Sequence, residues 1–311
     1  MKKWICLVFL LLALTGEARA AELPGDLTEA LPEAAEDVLD VDDLSGPGGF
    51  SQGLAGIAER LSGEVKSVLR QRLRGAASIL LVAVACGAVD GFARGTGEGK
   101  AAAFLSVEGA ELLGCDPARL EEAAAEGVVA INLTWNHANA LSGSHCDEPE
   151  RGLSPLGRQF VEKMEDLHIL VDVSHLSEAG FWDVAELARR PILASHSNAK
   201  SVWDHTRNLT DGQINAIIKN QGVIGLNFYE EFVGRTRDLA ALRAHLDHIL
   251  SLGGASNVAL GGDWDGCDTI AALPSIDRLG DFYEYLLCHG YHETVVRDLF
   301  YNNLMRVVRQ R

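Results

Sequence analysis

Four side chains that could bind a metal ion or transfer a proton share one sequence context: each lies at the end of a short apolar run or just after it. They are Glu108 in Ser-Val-Glu-Gly, His175 in Val-Asp-Val-Ser-His, His196 in Ala-Ser-His-Ser and Asp263 in Gly-Gly-Asp-Trp-Asp-Gly. Two neutral imidazoles and one carboxylate are a common ligand set for a catalytic zinc ion, which keeps one coordination position for water. Because the ion lowers the pKa of that water to about 7, it supplies hydroxide at neutral pH, and an amide bond is a suitable target.

Each of these residues also has a structural interpretation. A single histidine at a strand end is more often a hydrogen-bonded structural residue than a ligand, and Glu108 could instead be a carboxylate stabilised by a helix start. Asp263 and Asp265 are two residues apart, and strand alternation places them on one side, so one could act in the site while the other caps the loop. His245 and His248 fall on a helical face, where we expect them to be exposed to solvent.

Six apolar segments with β-branched residues alternate with helical stretches after Lys100, which is the pattern of βα units around a parallel sheet. In four of these six segments, a Glu, His or Asp residue lies at or beside the carboxyl end. Barrels of this kind place their chemistry at the carboxyl ends of the strands, so these residues should meet at one mouth. The predicted strands lie within residues 102–109, 128–134, 169–175, 191–197, 222–229 and 258–266.

Composition and charge exclude several classes of protein. The chain has 311 residues, of which 47% are hydrophobic and 23% charged, as in a folded globular protein rather than a disordered one. Its 27 Lys and Arg against 44 Asp and Glu give a formal charge of -17, which disfavours nucleic acid as a partner. The six cysteines include no Cys-x-x-Cys pair, so the sequence supports neither a thiolate zinc site nor a disulfide framework.

The N-terminal third of the chain differs in character from the rest. Residues 1–20 carry two lysines, an apolar stretch and Ala-Arg-Ala, the pattern of a signal peptide. Residues 21–95 combine an acidic stretch with an amphipathic helix, and the uncharged run at 75–89 predicts contact with a membrane. A glycine-rich joint at 96–100 then leads into the barrel segment at 101–311. If the N-terminal segment is genuine, we expect the protein to be exported or membrane-associated; otherwise the parent barrel could be cytoplasmic.

The part of the chain from Lys100 to Arg311 resembles the membrane dipeptidase (renal dipeptidase) family of zinc metallopeptidases. The matching motifs occur in the family's order: FLSVEGAE, INLTWN, GLSPLG, ILVDVSH, ILASHSNA, RNLTD, GLNFY, GGDWDG and YNNLMRV. The resemblance implies an α/β protein of the (β/α)8 TIM-barrel type, a dipeptide substrate, and two zinc ions bridged by a carboxylate and a water. By motif, Glu108 is the bridging carboxylate, and His175 and His196 are ligands of one zinc ion.

The same resemblance assigns roles to residues around the metal. Arg207, in Arg-Asn-Leu-Thr-Asp, corresponds to the residue that grips the carboxylate or developing oxyanion of the substrate, although a surface ion pair would also explain it. Asp263 corresponds to the acid and base that moves a proton from the bridging water to the leaving amine. Tyr229 corresponds to a pocket-lining tyrosine or is an ordinary core aromatic. Trp135 replaces a substrate-contacting His of some relatives, so either it forms a pocket wall or His137 makes that contact.

One part of the family pattern is absent. The family's other zinc ion is held by a His-x-Asp pair on the first barrel strand, but no His precedes His137 in this chain. The His-x-Asp pairs that begin at His145 and His245 lie in a loop and on a helix, where they are not positioned to replace it. Six strands instead of eight further indicate an incomplete barrel that lacks its first two βα units. We therefore expect one zinc ion or none, and impaired activity.

Residues 1–95 resemble, in layout and in the phrase LPGDLTEALPEAAEDVL, the opening of the stage III sporulation protein AE family. The chain then looks like a truncated dipeptidase barrel joined to a fragment of a sporulation membrane protein. Two functions are open on this basis: a zinc-dependent dipeptidase, and a catalytically inactive, membrane-associated fusion or interaction protein. The sequence predicts no oligomeric state.

Overall fold

The computed structural model describes residues 104–310, and its central feature is a curled sheet of six strands with helices packed around it. All six strands are parallel and pair in chain order. Each strand lies inside one of the six predicted segments, so the predicted α/β architecture is confirmed. The strands are β1 (Leu105–Glu108), β2 (Val128–Asn132), β3 (Leu170–Asp172), β4 (Leu193–Ala194), β5 (Val223–Asn227) and β6 (Val258–Gly261).

Helices connect the strands, as parallel pairing requires. They are α1 (Leu120–Ala125), α2 (Pro155–Asp166), α3 (Glu178–Leu187), α4 (Asp211–Lys219), α5 (Glu230–Val233), α6 (Leu239–Ser251), α7 (Leu279–Cys288), α8 (Glu293–Arg297) and α9 (Asn303–Gln310). Sequence signals explain where two of them begin. Ser154 accepts a hydrogen bond from Gly157 N at the start of α2, with Pro155 in the first turn. Thr210 and Gln213 form a capping box at the start of α4.

Apolar residues form a core on each face of the sheet. The larger core lies between the sheet and the surrounding helices, and it includes Phe160 of α2, Phe181 of α3 and Phe282 of α7. A smaller cluster packs strand residues against the C-terminal helix: Phe104, Val129, Ala130, Leu170, Leu193, Val223 and Ala259 with Leu304, Val307 and Val308. Because side chains alternate along a strand, Glu108 projects from the same face as Ser106, at the carboxyl end of β1.

Two glycines allow β4, β5 and β6 to approach closely beside the predicted site. A Cβ on Gly225 would lie 1.9 Å from the carbonyl oxygen of Ser195, and a Cβ on Gly261 would lie 2.1 Å from the same oxygen. These contacts are with backbone, so no side-chain rotation could relieve them. The glycines of the Gly-Leu-Asn-Phe and Gly-Gly-Asp motifs therefore position the segment that carries His196.

Several sequence-based predictions concern residues outside the described range. They include the signal peptide at 1–20, the segment at 21–95 with its apolar run at 75–89, and the joint at 96–100. The stretch that resembles the sporulation protein AE family lies there as well. Within residues 104–310, no helix is both long enough and apolar enough to cross a membrane. Contact of residues 75–89 with a membrane stays a prediction, as do the segment boundaries.

Candidate metal centre

Three of the predicted residues come together at the carboxyl ends of the strands. His175 Nε2 lies 2.8 Å from Glu108 Oε1 and 2.8 Å from His196 Nε2, and His196 Nε2 lies 3.3 Å from Glu108 Oε1. The possible ligand atoms of the three residues all lie within 4.8 Å of one another. All three side chains are buried. The structure thus brings together a carboxylate and two imidazoles that are far apart in the sequence.

Three different strands position these side chains. Glu108 is the last residue of β1, His175 follows β3 by three residues, and His196 follows β4 by two. His175 has a φ of 70°, in the left-handed region that residues other than glycine rarely adopt. Such backbone conformations persist where the surrounding structure determines them strongly, and they are concentrated at functional sites.

The chemistry of this donor set fits a zinc ion. Tetrahedral zinc with bonds of about 2.0–2.1 Å to nitrogen and oxygen separates its ligand atoms by roughly 3.3 Å. The atoms of the cluster are 2.8 to 3.3 Å apart, so shifts of a few tenths of an ångström would bring them to that spacing. Each imidazole is also held at its other nitrogen: His175 Nδ1 lies 3.0 Å from Asn136 Oδ1, and His196 Nδ1 lies 2.7 Å from Ser195 Oγ. Outer contacts of this kind orient histidine ligands.

The electrostatics of Glu108 and His175 favour metal binding, whereas His196 differs: burial opposes its charged form, but the nearby carboxylates of Asp263 and Glu108 raise its pKa above the usual value. Burial opposes ionisation of Glu108, but the two adjacent imidazoles hold the pKa of its carboxyl well below the usual value. Burial, together with the charge of Arg207, lowers the pKa of His175 well below its usual value, so this ring is neutral at neutral pH. An ionised carboxylate and a neutral imidazole are the forms in which these groups bind a metal ion.

Arg207 is buried beside the cluster, so a surface ion pair does not explain it. Its Nη2 donates a hydrogen bond to the carbonyl oxygen of His196 at 3.2 Å, and its guanidinium lies over the ring of Phe232 at 5.5 Å. Within the described residues its Nε has no hydrogen-bond partner. Burial lowers the pKa of Arg207, while the nearby carboxylates of Asp263 and Glu108 favour its charged form. A cation with a free donor therefore faces the same region as the cluster.

Asp263 follows β6 by two residues and contacts another strand end. Asn227, the last residue of β5, donates a hydrogen bond from Nδ2 to Asp263 Oδ2 at 3.2 Å. Burial raises the pKa of Asp263 above its usual value. The prediction that Asp263 and Asp265 alternate as in a strand was wrong, because β6 ends at Gly261 and both aspartates have positive φ, at 56° and 65°. Asp265 is exposed.

The remaining predicted substrate residues lie around this region. Tyr229 is half-buried, and its ring packs edge-on against Phe232, with 4.6 Å between centroids. Trp135 is half-buried in the loop after β2. The His137 side chain is 81% exposed and its Nδ1 lies 3.7 Å from Asp147. The hydrogen bonds, ion pairs and ring contacts given for residues 104–310 do not join Trp135 or His137 to the three clustered residues, and the roles of both stay predictions.

Four residues of the centre were not recognised in the sequence. His145 lies with its ring 5.8 Å from that of His175, and Asn136 contacts both rings. Asn227 holds Asp263, and Asp172 Oδ1 accepts hydrogen bonds from Ser174 N and Ser195 N. Asn227 and Asp172 are the last residues of β5 and β3, and each lies two or three residues before the end of a predicted segment, which was a usable signal. The loop that carries Asn136 and His145 offers no such pattern.

The prediction that His245 is exposed was wrong. Its side chain is fully buried on α6, where its Nδ1 accepts a hydrogen bond from Ala199 N at 3.1 Å. Its Nε2 donates to the carbonyl oxygen of Val233 at 2.9 Å. Because backbone groups satisfy both ring nitrogens, the imidazole can be buried without the cost of an unpaired polar group. His248, on the same helix, is half-buried and lies 2.7 Å from Asp211 Oδ1.

The curled parallel sheet and the two imidazoles and carboxylate at its strand ends define a metal-dependent hydrolase of the barrel type. Residues 83–311 match the membrane dipeptidase family (peptidase family M19), and the chain belongs to that family. The family resemblance read from the motifs is therefore confirmed. The matched region begins at residue 83, ahead of the first recognised motif.

Individual relatives agree with this assignment. The chain is 35% identical over 198 residues to an uncharacterised protein in the pqqA 5′ region of Klebsiella pneumoniae, covering 60% of this chain and 73% of that protein. It is 29% identical over 211 residues to an uncharacterised dipeptidase of Schizosaccharomyces pombe, covering 66% of this chain but 52% of the yeast protein. A metallo peptidase from Rhodobacter sphaeroides, solved with a phosphinate mimic of the dipeptide L-Ala-D-Ala, is 28% identical with a TM-score of 0.69. That similarity covers 82% of this chain and 74% of the other.

Proposed function

We propose that this protein is a zinc-dependent dipeptidase that hydrolyses the amide bond of dipeptides. The observation that carries the proposal is the buried group of Glu108, His175 and His196 at the carboxyl ends of the strands. These residues would hold the ion through one carboxylate oxygen and two imidazole Nε2 atoms. When bound, zinc lowers the pKa of a coordinated water to about 7 and thereby supplies a nucleophile at neutral pH.

The surrounding residues supply the other functions of the reaction. Asp263 accepts a proton from the attacking water and delivers it to the amine that leaves. Burial raises the pKa of its carboxyl, which favours the proton-carrying form that this transfer requires. Asn227 holds Asp263 in place through Oδ2 and leaves the other carboxylate oxygen for the proton transfer.

Arg207 supports a dipeptide as the substrate class. Its guanidinium is buried, and one of its nitrogens has no hydrogen-bond partner among residues 104–310, so a substrate anion would satisfy it. The carboxylate at the end of a dipeptide, or the oxyanion that develops during attack, is a suitable anion for this planar cation. The Rhodobacter sphaeroides relative was solved with a mimic of L-Ala-D-Ala, which supports the same substrate class. We assign Tyr229, Trp135 and His137 to the surroundings of the substrate.

We further propose that the site holds one zinc ion and works more slowly than a complete two-zinc site. The residues present supply one carboxylate and two imidazoles, and no His-x-Asp pair precedes Glu108 in the sequence. Without a second ion, only one metal orients the attacking water. If the loss is complete, the protein is instead a catalytically inactive, membrane-associated fusion or interaction protein.

The proposal is tested by measuring bound zinc and hydrolysis of L-Ala-D-Ala on the purified full chain. We expect one bound ion and a slow hydrolysis that chelation abolishes. Glu108→Gln should remove both the metal and the activity. Asp263→Asn should keep the metal and lose about 100-fold or more in turnover, whereas Asp265→Asn, at an exposed position two residues away, should keep both.

Each other outcome contradicts a defined part of the proposal. A chain that binds no zinc refutes the metal site. Zinc without hydrolysis supports the inactive alternative. Two bound ions with fast turnover would show that the absent pair is replaced elsewhere in the chain.

A further inference from the structure

The ring of Phe232 contacts the guanidinium of Arg207 and two further rings. The guanidinium carbon of Arg207 lies over this ring, 5.5 Å from its centroid. The rings of His205 and Tyr229 pack against the same side chain, at 4.4 Å and 4.6 Å between centroids. Because Arg207 is buried and Phe232 is half-buried, solvent weakens the attraction between cation and ring only in part. Phe232 therefore stabilises a buried cation beside the candidate metal centre.

Hydrogen bonds hold only part of the Arg207 guanidinium. Its Nη2 donates to the carbonyl oxygen of His196 at 3.2 Å, whereas its Nε has no hydrogen-bond partner among residues 104–310. An arginine side chain loses rotamer freedom when it binds an anion, and a ring against its planar face reduces that cost before binding. We infer that Phe232 is a positioning residue that holds Arg207 toward the carboxylate of the substrate, an inference that rests on the proposed dipeptidase function.

Side chains from outside α5 hold the backbone that carries Phe232. The last carbonyl groups of a helix lack partners within it, and a helix of four residues is marginal on its own. Here the carbonyl oxygens of residues 231, 232 and 233 each accept a hydrogen bond from a side chain. The bonds run from Trp203 Nε1 to Glu231 at 2.9 Å, from Asn208 Nδ2 to Phe232 at 3.0 Å and from His245 Nε2 to Val233 at 2.9 Å. The segment between β4 and α4 and the helix α6 therefore fix the position of Phe232.

The start of α5 is tied to the end of β5. The backbone N–H of Tyr229 donates to Asn227 Oδ1 at 2.6 Å, and Asn227 Nδ2 donates to Asp263 Oδ2 at 3.2 Å. The asparagine that holds the proposed proton carrier thus also places Tyr229, three residues before Phe232. One strand end positions both the carboxylate that moves the proton and the ring that supports Arg207.

Substitutions can separate the effect of the ring from that of an apolar side chain. Phe232→Leu and Phe232→Met remove the aromatic face but keep an apolar residue, whereas Phe232→Tyr keeps the face. Phe300, between α8 and α9, provides a matched control because it is also half-buried. Its ring packs against Phe282 at 6.0 Å and Tyr283 at 5.2 Å between centroids. Phe300→Leu therefore removes a ring of similar burial whose ring contacts do not include Arg207.

The first measurement follows Arg207 itself, in the metal-free full chain labelled on arginine nitrogen. The NMR signal of its Nε–H is assigned from an Arg207→Lys variant, and the rate of hydrogen exchange with water reports how firmly the guanidinium is held. We expect slow exchange in the unaltered chain, in Phe232→Tyr and in Phe300→Leu. Exchange should be about 5- to 30-fold faster in Phe232→Leu and Phe232→Met, which is the effect of a largely desolvated cation–π contact on an equilibrium.

The second measurement is hydrolysis of L-Ala-D-Ala and of its C-terminal amide. Because the binding of a terminal carboxylate changes little between ground state and transition state, Phe232→Leu should raise KM for the free dipeptide about 5- to 30-fold at nearly constant kcat. The amide lacks the carboxylate and should be affected less. With Arg207→Gln already present, Phe232→Leu should cause no further loss for the free dipeptide.

Unchanged exchange of the Arg207 Nε–H in Phe232→Leu and Phe232→Met would overturn the inference. So would an equally fast exchange in Phe300→Leu, equal losses for the two substrates, or a further loss from Phe232→Leu in the Arg207→Gln background. A chain that hydrolyses neither substrate refutes the proposed function instead. The exchange rate, which is read without metal or substrate, then shows by itself whether Phe232 holds Arg207.

Discussion

The buried His245 makes the stability of the protein depend on pH. Its Nδ1 accepts the hydrogen bond of Ala199 N–H, so a proton added there would face another donor. Burial lowers the pKa of His245 from 6.5 to about 4. The unfolded chain therefore takes up a proton near pH 6.5, whereas the folded chain takes it up only near pH 4.

The sign and size of the effect follow from this difference. Above pH 6.5 both states are neutral at His245 and its contribution is complete. As the pH falls from 6.5 toward 4, protons bind the unfolded state preferentially, and the free energy of unfolding decreases. The loss from this residue is on the order of 3 kcal/mol and is complete near the folded-state pKa. That is a large part of the stability of a typical domain.

Denaturant unfolding of the full chain at a series of pH values measures this loss. His245→Gln is the informative variant, because a glutamine amide offers a donor toward Val233 and an acceptor toward Ala199 but does not titrate. We expect its free energy of unfolding to fall by about 3 kcal/mol less than that of the unaltered chain over this pH interval. His248→Gln, on the same helix, should keep the acid sensitivity. If the unaltered chain and His245→Gln lose stability in parallel, the titration of His245 does not explain it.

Three further predictions concern the site. Gly225→Ala should lower the free energy of unfolding by about 1–3 kcal/mol, since its Cβ would overlap the Ser195 carbonyl; unchanged denaturant midpoints would contradict this contact. A zinc concentration of about 100 times the dissociation constant should raise the free energy of unfolding by about 2.7 kcal/mol. Calorimetry of thermal unfolding should detect this gain in the unaltered chain but not in Glu108→Gln. Arg207→Lys should reduce kcat/KM for a dipeptide about 10- to 100-fold, with a smaller loss for a C-terminally amidated dipeptide; equal losses for both would exclude Arg207 as the carboxylate anchor.

The sequence was sufficient to predict the strands and the clustered side chains. Each strand is a short apolar segment, and parallel strands end at the same edge, so a polar residue at that end has a predictable position. Glu108, His175 and His196 met this condition, and the structure places them together. Asn227 and Asp172 also end strands, so the same reasoning applied to every polar residue there would have identified them.

Residues in irregular loops were not predictable in this way. Asn136 and His145 lie in the segment between β2 and α2, whose path depends on single hydrogen bonds such as that from His145 N to His175 O. No periodic pattern encodes such contacts. His245 is a different case, because Leu242, Leu246 and Ile249 surround it at helical spacing and are all buried. Its position indicated burial, and only its polarity suggested otherwise.

The arrangement of the strand ends bears on how many metal ions this chain can hold. β1 supplies Glu108 directly, the segments after β3 and β4 supply the two imidazoles, and the loop after β2 orients one of them through Asn136. Asn227, the last residue of β5, donates hydrogen bonds to the carbonyl oxygen of His196 at 3.4 Å and to Asp263 at 3.2 Å, and Asp263 follows β6 by two residues. All six strands of the described sheet therefore contribute residues in or beside one centre. A single ion should consequently bind with its orienting contacts intact, and removing those contacts one at a time should weaken that ion without changing the stoichiometry.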